Sequence, residues 1–208
     1  MLLAEELALV AIDPDSGRHA LGVRSNLNAC LAGLLIAELA LPDPPATPLL
    51  DAVSDIVDES GSKPKAALSA MSRGLERRLG KGTWDAVVDG LVDRQVLAPP
   101  TGVLRPHTDV VDVGARDEVV ARLRTAAAGD DPLDVRTALL LSMTGPAQLL
   151  ELVAPERSGR RHARRRIDHA LDGTFSEPIA EAVRKVLADA AAAVIATTVA
   201  ATAVAGSS

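Results

Sequence analysis

The densest reactive chemistry in the sequence is a ten-residue stretch holding six arginines, Arg157-Ser158-Gly159-Arg160-Arg161-His162-Ala163-Arg164-Arg165-Arg166. Guanidinium groups this close repel one another unless an anionic partner spreads the charge, and arginine grips phosphate oxygens through paired N–H bonds. On a helix, Arg157, Arg161, Arg164 and Arg165 fall on one face, while Arg160 and Arg166 point elsewhere. Two kinds of partner fit. One is phosphate, from lipid or nucleic acid; the other is internal, with Glu151, Glu156, Asp168 and the acidic N-terminal half taking up the charge. A second basic block, Lys63, Lys65, Arg73, Arg77, Arg78 and Lys81, reads equally well as a solvated helix face. Both blocks stand out because the chain as a whole carries a formal net charge of −6. Basic blocks on an acidic chain have the pattern of a surface patch for an anionic partner.

Catalytic patterns are missing from the sequence: no Gly-rich phosphate loop, no Gly-x-Ser-x-Gly and no His-Glu-x-x-His. His162 and His169 share a helix side without a third ligand nearby. Asp51, Asp55, Asp58 and Glu59 have helical spacing and read as an exposed acidic face rather than a divalent-ion site. The single cysteine, Cys30, excludes an internal disulfide. It lies in the apolar run Cys30–Leu35 with no His or cation to lower its pKa, so a buried, inert thiol is expected. Neither an enzyme nor a cofactor is expected.

These groups must be positioned by helices. The chain has 208 residues, 48% hydrophobic, with Trp84 and Phe175 as its only aromatics. A core of Ala, Leu and Val favours closely packed helices and leaves almost no rings on which to stack bases or sugars. Arginine outnumbers lysine 18 to 4, which reads as the bias of a GC-rich bacterial genome. Helical periodicity covers Leu2–Ile12, 27–41 (capped by Asn26 or Asn28), 49–57, 65–79, 83–95, 115–127, 133–143, 146–153, 157–171 and 177 towards 205. Four prolines in Pro42–Pro48 make a loop. Val96–Leu104 predicts two short strands about a Pro-Gly turn, with Val110–Val113 extending the hairpin. Ala190–Ser208 is uncharged but rich in Ala and Thr, and reads as a closing helix rather than a membrane span. Glu5 and Glu6 stand where a signal peptide needs positive charge, so a cytoplasmic location is expected. The fold class is mainly α, a single compact helical domain over 1–208 with a small protruding β-hairpin.

The order of motifs resembles the Golgi phosphoprotein 3 family. The resemblance runs through Leu2–Asp13, Ser16-Gly17, Leu31–Leu41, Leu49-Leu50-Asp51-Ala52 and Leu91–Leu97 to the basic helix and the Ala-rich end. It implies a helical domain with a protruding hairpin that binds phosphatidylinositol 4-phosphate at a membrane surface, and, in eukaryotic members, an adaptor holding the tails of Golgi glycosyltransferases. The family's pocket uses a Trp and a set of Arg, whereas this chain has Val23 and Ala32 at two of those places. Arg24 and Arg136 are then the cations beside the pocket positions. Where the family continues with a Gly-Arg strand and a polar strand after the apolar helix, this sequence runs directly from Leu41 to Pro42.

The leading expectation is a non-catalytic, peripheral binder of anionic phospholipid, reversibly attached to the inner face of the membrane. Its headgroup contacts are Arg24, Arg136, Arg157, Arg161, Arg164 and Arg165, with Arg24, Arg136 and at least one Arg of 157–166 facing a common concavity. Membrane-protein tails are further expected partners. Two other classes stand beside it. The order 65–79, 83–95 and hairpin matches a winged helix for nucleic acid, but its groove helix would present Asp85, Asp89 and Asp93 to phosphates; no nucleic-acid partner is expected. A scaffold would instead pair through its hairpin edge into a homo-oligomer.

Overall fold

Leu3–Ala11 forms α1, and all nine of its residues are buried. Full burial of each Leu side chain contributes about 1.5–3 kcal/mol, and Leu3, Leu7 and Leu9 are all at 0% exposure. The computed structural model describes residues 1–18, 24–61, 64–102 and 107–171. Among these the chain is mainly α: after α1 come α2 (Arg24–Leu39), α3 (Pro48–Glu59), α4 (Pro64–Leu79), α5 (Thr83–Asp93), α6 (Val113–Ala128), α7 (Val135–Thr144), α8 (Leu150–Val153) and α9 (Arg157–Leu171).

Local chemistry explains several helix starts. Thr47 accepts the Leu50 N–H at 3.2 Å, with Pro48 in the first turn of α3, where a missing N–H costs nothing. Asp112 caps α6 through Ala115 at 2.9 Å, and Asp134 caps α7 through Thr137 at 3.0 Å. The expected Asn cap of α2 is corrected: the helix already starts at Arg24, and Asn28 lies inside it. The helix expected over 146–153 shrinks to Leu150–Val153, because Gln148 adopts a left-handed φ of 60°.

Packing places α1 at the centre, with α2, α5, α6 and α7 against it. On one side α3 and α4 pair closely: a Cβ on Gly74 would stand 2.6 Å from the Ile56 side chain. On the other side α9 packs on α6 and α7.

Residues 96–102 and 107–111 run antiparallel, with isolated bridges Leu97–Val110 and Thr101–His107. Ladder bonds include Ala98 N–H to the Asp109 carbonyl and Thr101 N–H to the His107 carbonyl, both 2.9 Å. No β-strand forms among the described residues. Pro99 and Pro100 fall between the bridges and remove two donors from the ladder. The pairing runs on past the two prolines to Thr101 and His107. At the base of this arm the turn 13–18 holds on: Thr108 N–H donates to the Gly17 carbonyl at 2.9 Å. Gly17 has φ of 62°, and a Cβ there would stand 3.0 Å from the Thr108 carbonyl oxygen.

Among the described residues no helix is long and apolar enough to cross a membrane. The helix expected from 177 onward, with Ala190–Ser208, lies outside the described residues.

Candidate functional site

Helix α9 buries a narrow apolar edge, Ala163 at 0% exposure with Ile167 partly covered, against α6 and α7. Its two flanks are tied to the scaffold. On one flank, Arg160 donates to the carbonyls of Ala154 (3.3 Å) and Pro155 and lies 3.8 Å from Glu151. On the other, His162 Nε2 is 3.0 Å from the Gly129 carbonyl oxygen, and Arg166 donates to the Asp131 carbonyl. These bonds fix the rotation of the helix. Arg157, Arg161, Arg164 and Arg165 then face solvent, all exposed, with no ion-pair partner among the described residues. At 1.5 Å rise per residue, the four span about 12 Å of helix. Such a row suits several anionic groups side by side more than one phosphate.

Arg24 and Arg136 stand at opposite ends of α2. Arg24 is the first residue of α2, its side chain outside the described ones. Arg136 is anchored at the other end of α2, bonded through Nη1 to Glu38 and through Nη2 to the Met1 carbonyl at 3.1 Å. Fourteen residues, or about 21 Å along the axis, separate Arg24 from Glu38.

The Arg136–Glu38 contact, between α7 and the end of α2, is one of three buried-carboxylate pairs gathered around the first turn of α1. Glu5, Glu6 and Glu38 are 2%, 6% and 0% exposed, and each meets an arginine from a different place: Arg94 at 3.3 Å, Arg122 and Arg136. Glu5 also accepts the Leu2 N–H and Glu38 the Leu3 N–H, both at 2.7 Å, so two orphan donors of the helix start are satisfied. Gly90 makes room for this: a Cβ there would lie 2.4 Å from Glu5 Oε1. Sequence reasoning missed Arg94 and Arg122. The available signal was the carboxylates themselves, since a Glu inside an apolar run must be paired when buried.

Burial pushes the Glu6 carboxyl above its ordinary 4.5, and Arg122 beside it offsets only part of that. A carboxyl whose folded pKa is raised favours the fold most when protonated. Its contribution is full below 4.5 and is lost as pH rises through the higher folded value. Glu6→Gln is therefore expected to gain stability relative to the parent chain as pH climbs through that window. Urea midpoints of both proteins across the window check it, and a constant difference would speak against it.

The other charged groups are largely internal. Arg78 pairs with Glu59 and, at 3.5 Å, with Asp55; Arg77 lies 3.9 Å from Glu59, and Lys81 pairs with Asp89. The acidic face of α3 thus neutralises part of the second basic block. On α5, Asp85 and Asp93 are exposed, which a groove-entering helix would have to turn toward phosphates. Cys30 is fully buried, and burial pushes its thiol up to about 12. Among the described residues no group of three His, Cys, Asp or Glu could hold a metal ion. A cavity of about 340 Å³ lies between Leu2, Pro48, Leu79 and Ala86, rimmed by Lys81, Asp89, Asp93 and Arg94. A second, of about 330 Å³, lies between Arg122, Gly129, Asp134 and Arg166. Both carry near-balanced charge.

No curated protein and no solved structure matches the chain. The Golgi phosphoprotein 3 (GPP34) family matches it over residues 42–190, from the proline loop through α9 and beyond, and leaves out the motifs of α1 and α2. This span is well over half of the 208 residues. The chain belongs to the Golgi phosphoprotein 3 (GPP34) family.

Proposed function

We propose that the protein is a non-catalytic peripheral membrane protein that binds anionic phospholipid headgroups, with the exposed face of α9 as its contact. The observation that carries this reading is the row of four exposed arginines with no ion-pair partner among the described residues, while Arg160, His162 and Arg166 anchor the same helix. A basic residue near an anionic surface is worth about 1 kcal/mol. Four of them hold a protein to the inner face of a membrane reversibly. Family membership supports the class of ligand, since Golgi phosphoprotein 3 adaptors bind phosphatidylinositol 4-phosphate, whose phosphomonoester is what guanidinium groups grip best. Arg24 adds a cation at the start of α2. Arg136 contributes as a cation already half neutralised by Glu38. Tails of membrane proteins are the further partners that the adaptor reading adds, and arm-to-arm pairing of residues 96–111 is the route to a homo-oligomer.

Sedimentation with vesicles tests the lipid contact. Binding is expected on phosphatidylcholine vesicles containing phosphatidylglycerol or phosphatidylinositol 4-phosphate, and not on phosphatidylcholine alone. Raising salt shortens the screening length from about 10 Å at 0.1 M to about 3 Å at 1 M and should release the protein. Equal behaviour on neutral and anionic vesicles at both salts would sink the reading. A gel shift on duplex DNA at low salt, without vesicle binding, would favour nucleic acid instead.

A further inference from the structure

The arginine face carries a hydroxyl. Ser158 lies in the first turn of α9, between Arg157 and Arg160-Arg161, and is exposed. Its one hydrogen bond among the described residues is long, from Oγ to the Glu156 carboxylate at 3.4 Å. Three other hydroxyls, by contrast, are committed to backbone carbonyls: Ser60 to Ile56 at 2.7 Å, Ser142 to Leu139 at 2.6 Å and Thr144 to Leu141 at 2.7 Å. At about 100° per residue, Ser158 stands about 60° around the helix from Arg161 and about 20° from Arg165. Arg161 is also its i+3 neighbour, within reach of a group added to the hydroxyl.

We propose that Ser158 is a phosphorylation site for a serine kinase that prefers arginine-flanked hydroxyls, and that its modification weakens the membrane contact of α9. The consequence rests on the lipid-binding reading; the acceptor chemistry does not. The Ser158 oxygen attacks the γ-phosphorus of magnesium-bound ATP. The new O–P bond replaces the bond to the bridging β–γ oxygen, ADP leaves, and the hydroxyl proton passes to the kinase's base. The phosphate brings about −1.5 to −2 of charge onto a row of four arginines. Arg161 is placed to pair with it, so the row loses roughly half its net charge toward a membrane. At the usual contribution per charge, vesicle binding should drop about ten- to thirtyfold.

The test uses the full chain, a basophilic serine kinase with magnesium ATP, and vesicles of phosphatidylglycerol in phosphatidylcholine. Intact mass and fragment mapping should show one phosphoryl group, on Ser158, absent from Ser158→Ala. The modified chain should then need about ten- to thirtyfold more anionic lipid for half-maximal sedimentation. Ser158→Glu should show about a fivefold loss, one charge's worth, whereas Ser72→Glu, the same charge on exposed α4, should show none. Phosphate mapped elsewhere with Ser158 untouched overturns the site. Complete modification of Ser158 with unchanged binding overturns the switch. An untreated chain that binds no vesicle overturns the lipid reading and the switch with it, while the mass spectrum still reports the acceptor.

Discussion

Arg136→Ala is expected to cost about 3 kcal/mol of folding stability, far more than the loss of an ordinary surface arginine. The reason lies in its partner. The Glu38 side chain is 1% exposed and that of Arg136 is 41% exposed, so removing the arginine strands a carboxylate in the core. The usual penalty for such an uncompensated charge is about 3–5 kcal/mol. The lower end applies here because the Leu3 N–H still donates to Glu38 at 2.7 Å. The asymmetry of exposure gives a second, sharper expectation. Glu38→Gln should cost less, because a neutral amide oxygen can keep the Leu3 bond while Arg136 turns to water. Adding Glu38→Gln to Arg136→Ala should therefore recover part of the stability. Urea unfolding of the parent, both single variants and the double variant measures this as a coupling energy. If Arg136→Ala stays within about 0.5 kcal/mol of the parent, the pair is a surface contact and the internal role is wrong.

That internal role marks where the sequence was legible and where it was not. The α9 face could be read directly, because 3.6-residue geometry alone puts Arg157, Arg161, Arg164 and Arg165 together, and the exposed row is what the structure has. Apolar periodicity likewise placed most helices to within a few residues, as with 49–57 against Pro48–Glu59 and 65–79 against Pro64–Leu79. Three things were hidden. The partner of Arg136 lies 98 residues away, and nothing in the neighbourhood of either residue specifies the other. The depth of α1 was also concealed: Glu5 and Glu6 interrupt its apolar pattern, yet tertiary pairing with Arg94 and Arg122 lets both carboxylates be buried. The pairing of the arm was hidden too: a Pro-Gly turn within Val96–Leu104 puts both strands in that segment, whereas 96–102 pairs with 107–111. Pro99 and Pro100 sit in the pairing segment and interrupt it.

Replacing Arg157, Arg161, Arg164 and Arg165 together by Ala should reduce binding to anionic vesicles by several hundredfold while leaving the fold intact. Four surface cations at about 1 kcal/mol each give about 4 kcal/mol, and every 1.4 kcal/mol is tenfold. Stability should change little, for exposed substitutions away from special features usually stay within about 0.5 kcal/mol each. Relief of repulsion among four like charges, and the high helix propensity of Ala, both act in favour of the variant. The anchors Arg160, His162 and Arg166 remain to hold α9 in place. Arg73→Ala on α4, equally exposed but outside the row, serves as the comparison and should leave binding within a few-fold of the parent. The two readings of the arginine row then separate cleanly. A membrane contact predicts a large drop in binding, a weaker salt dependence and an unchanged melting temperature for the fourfold variant. An internal contact, with the row neutralised by acidic groups of the same chain, predicts the reverse: unchanged vesicle binding and a fall in melting temperature. The absence of any described ion-pair partner for the four side chains favours the first outcome.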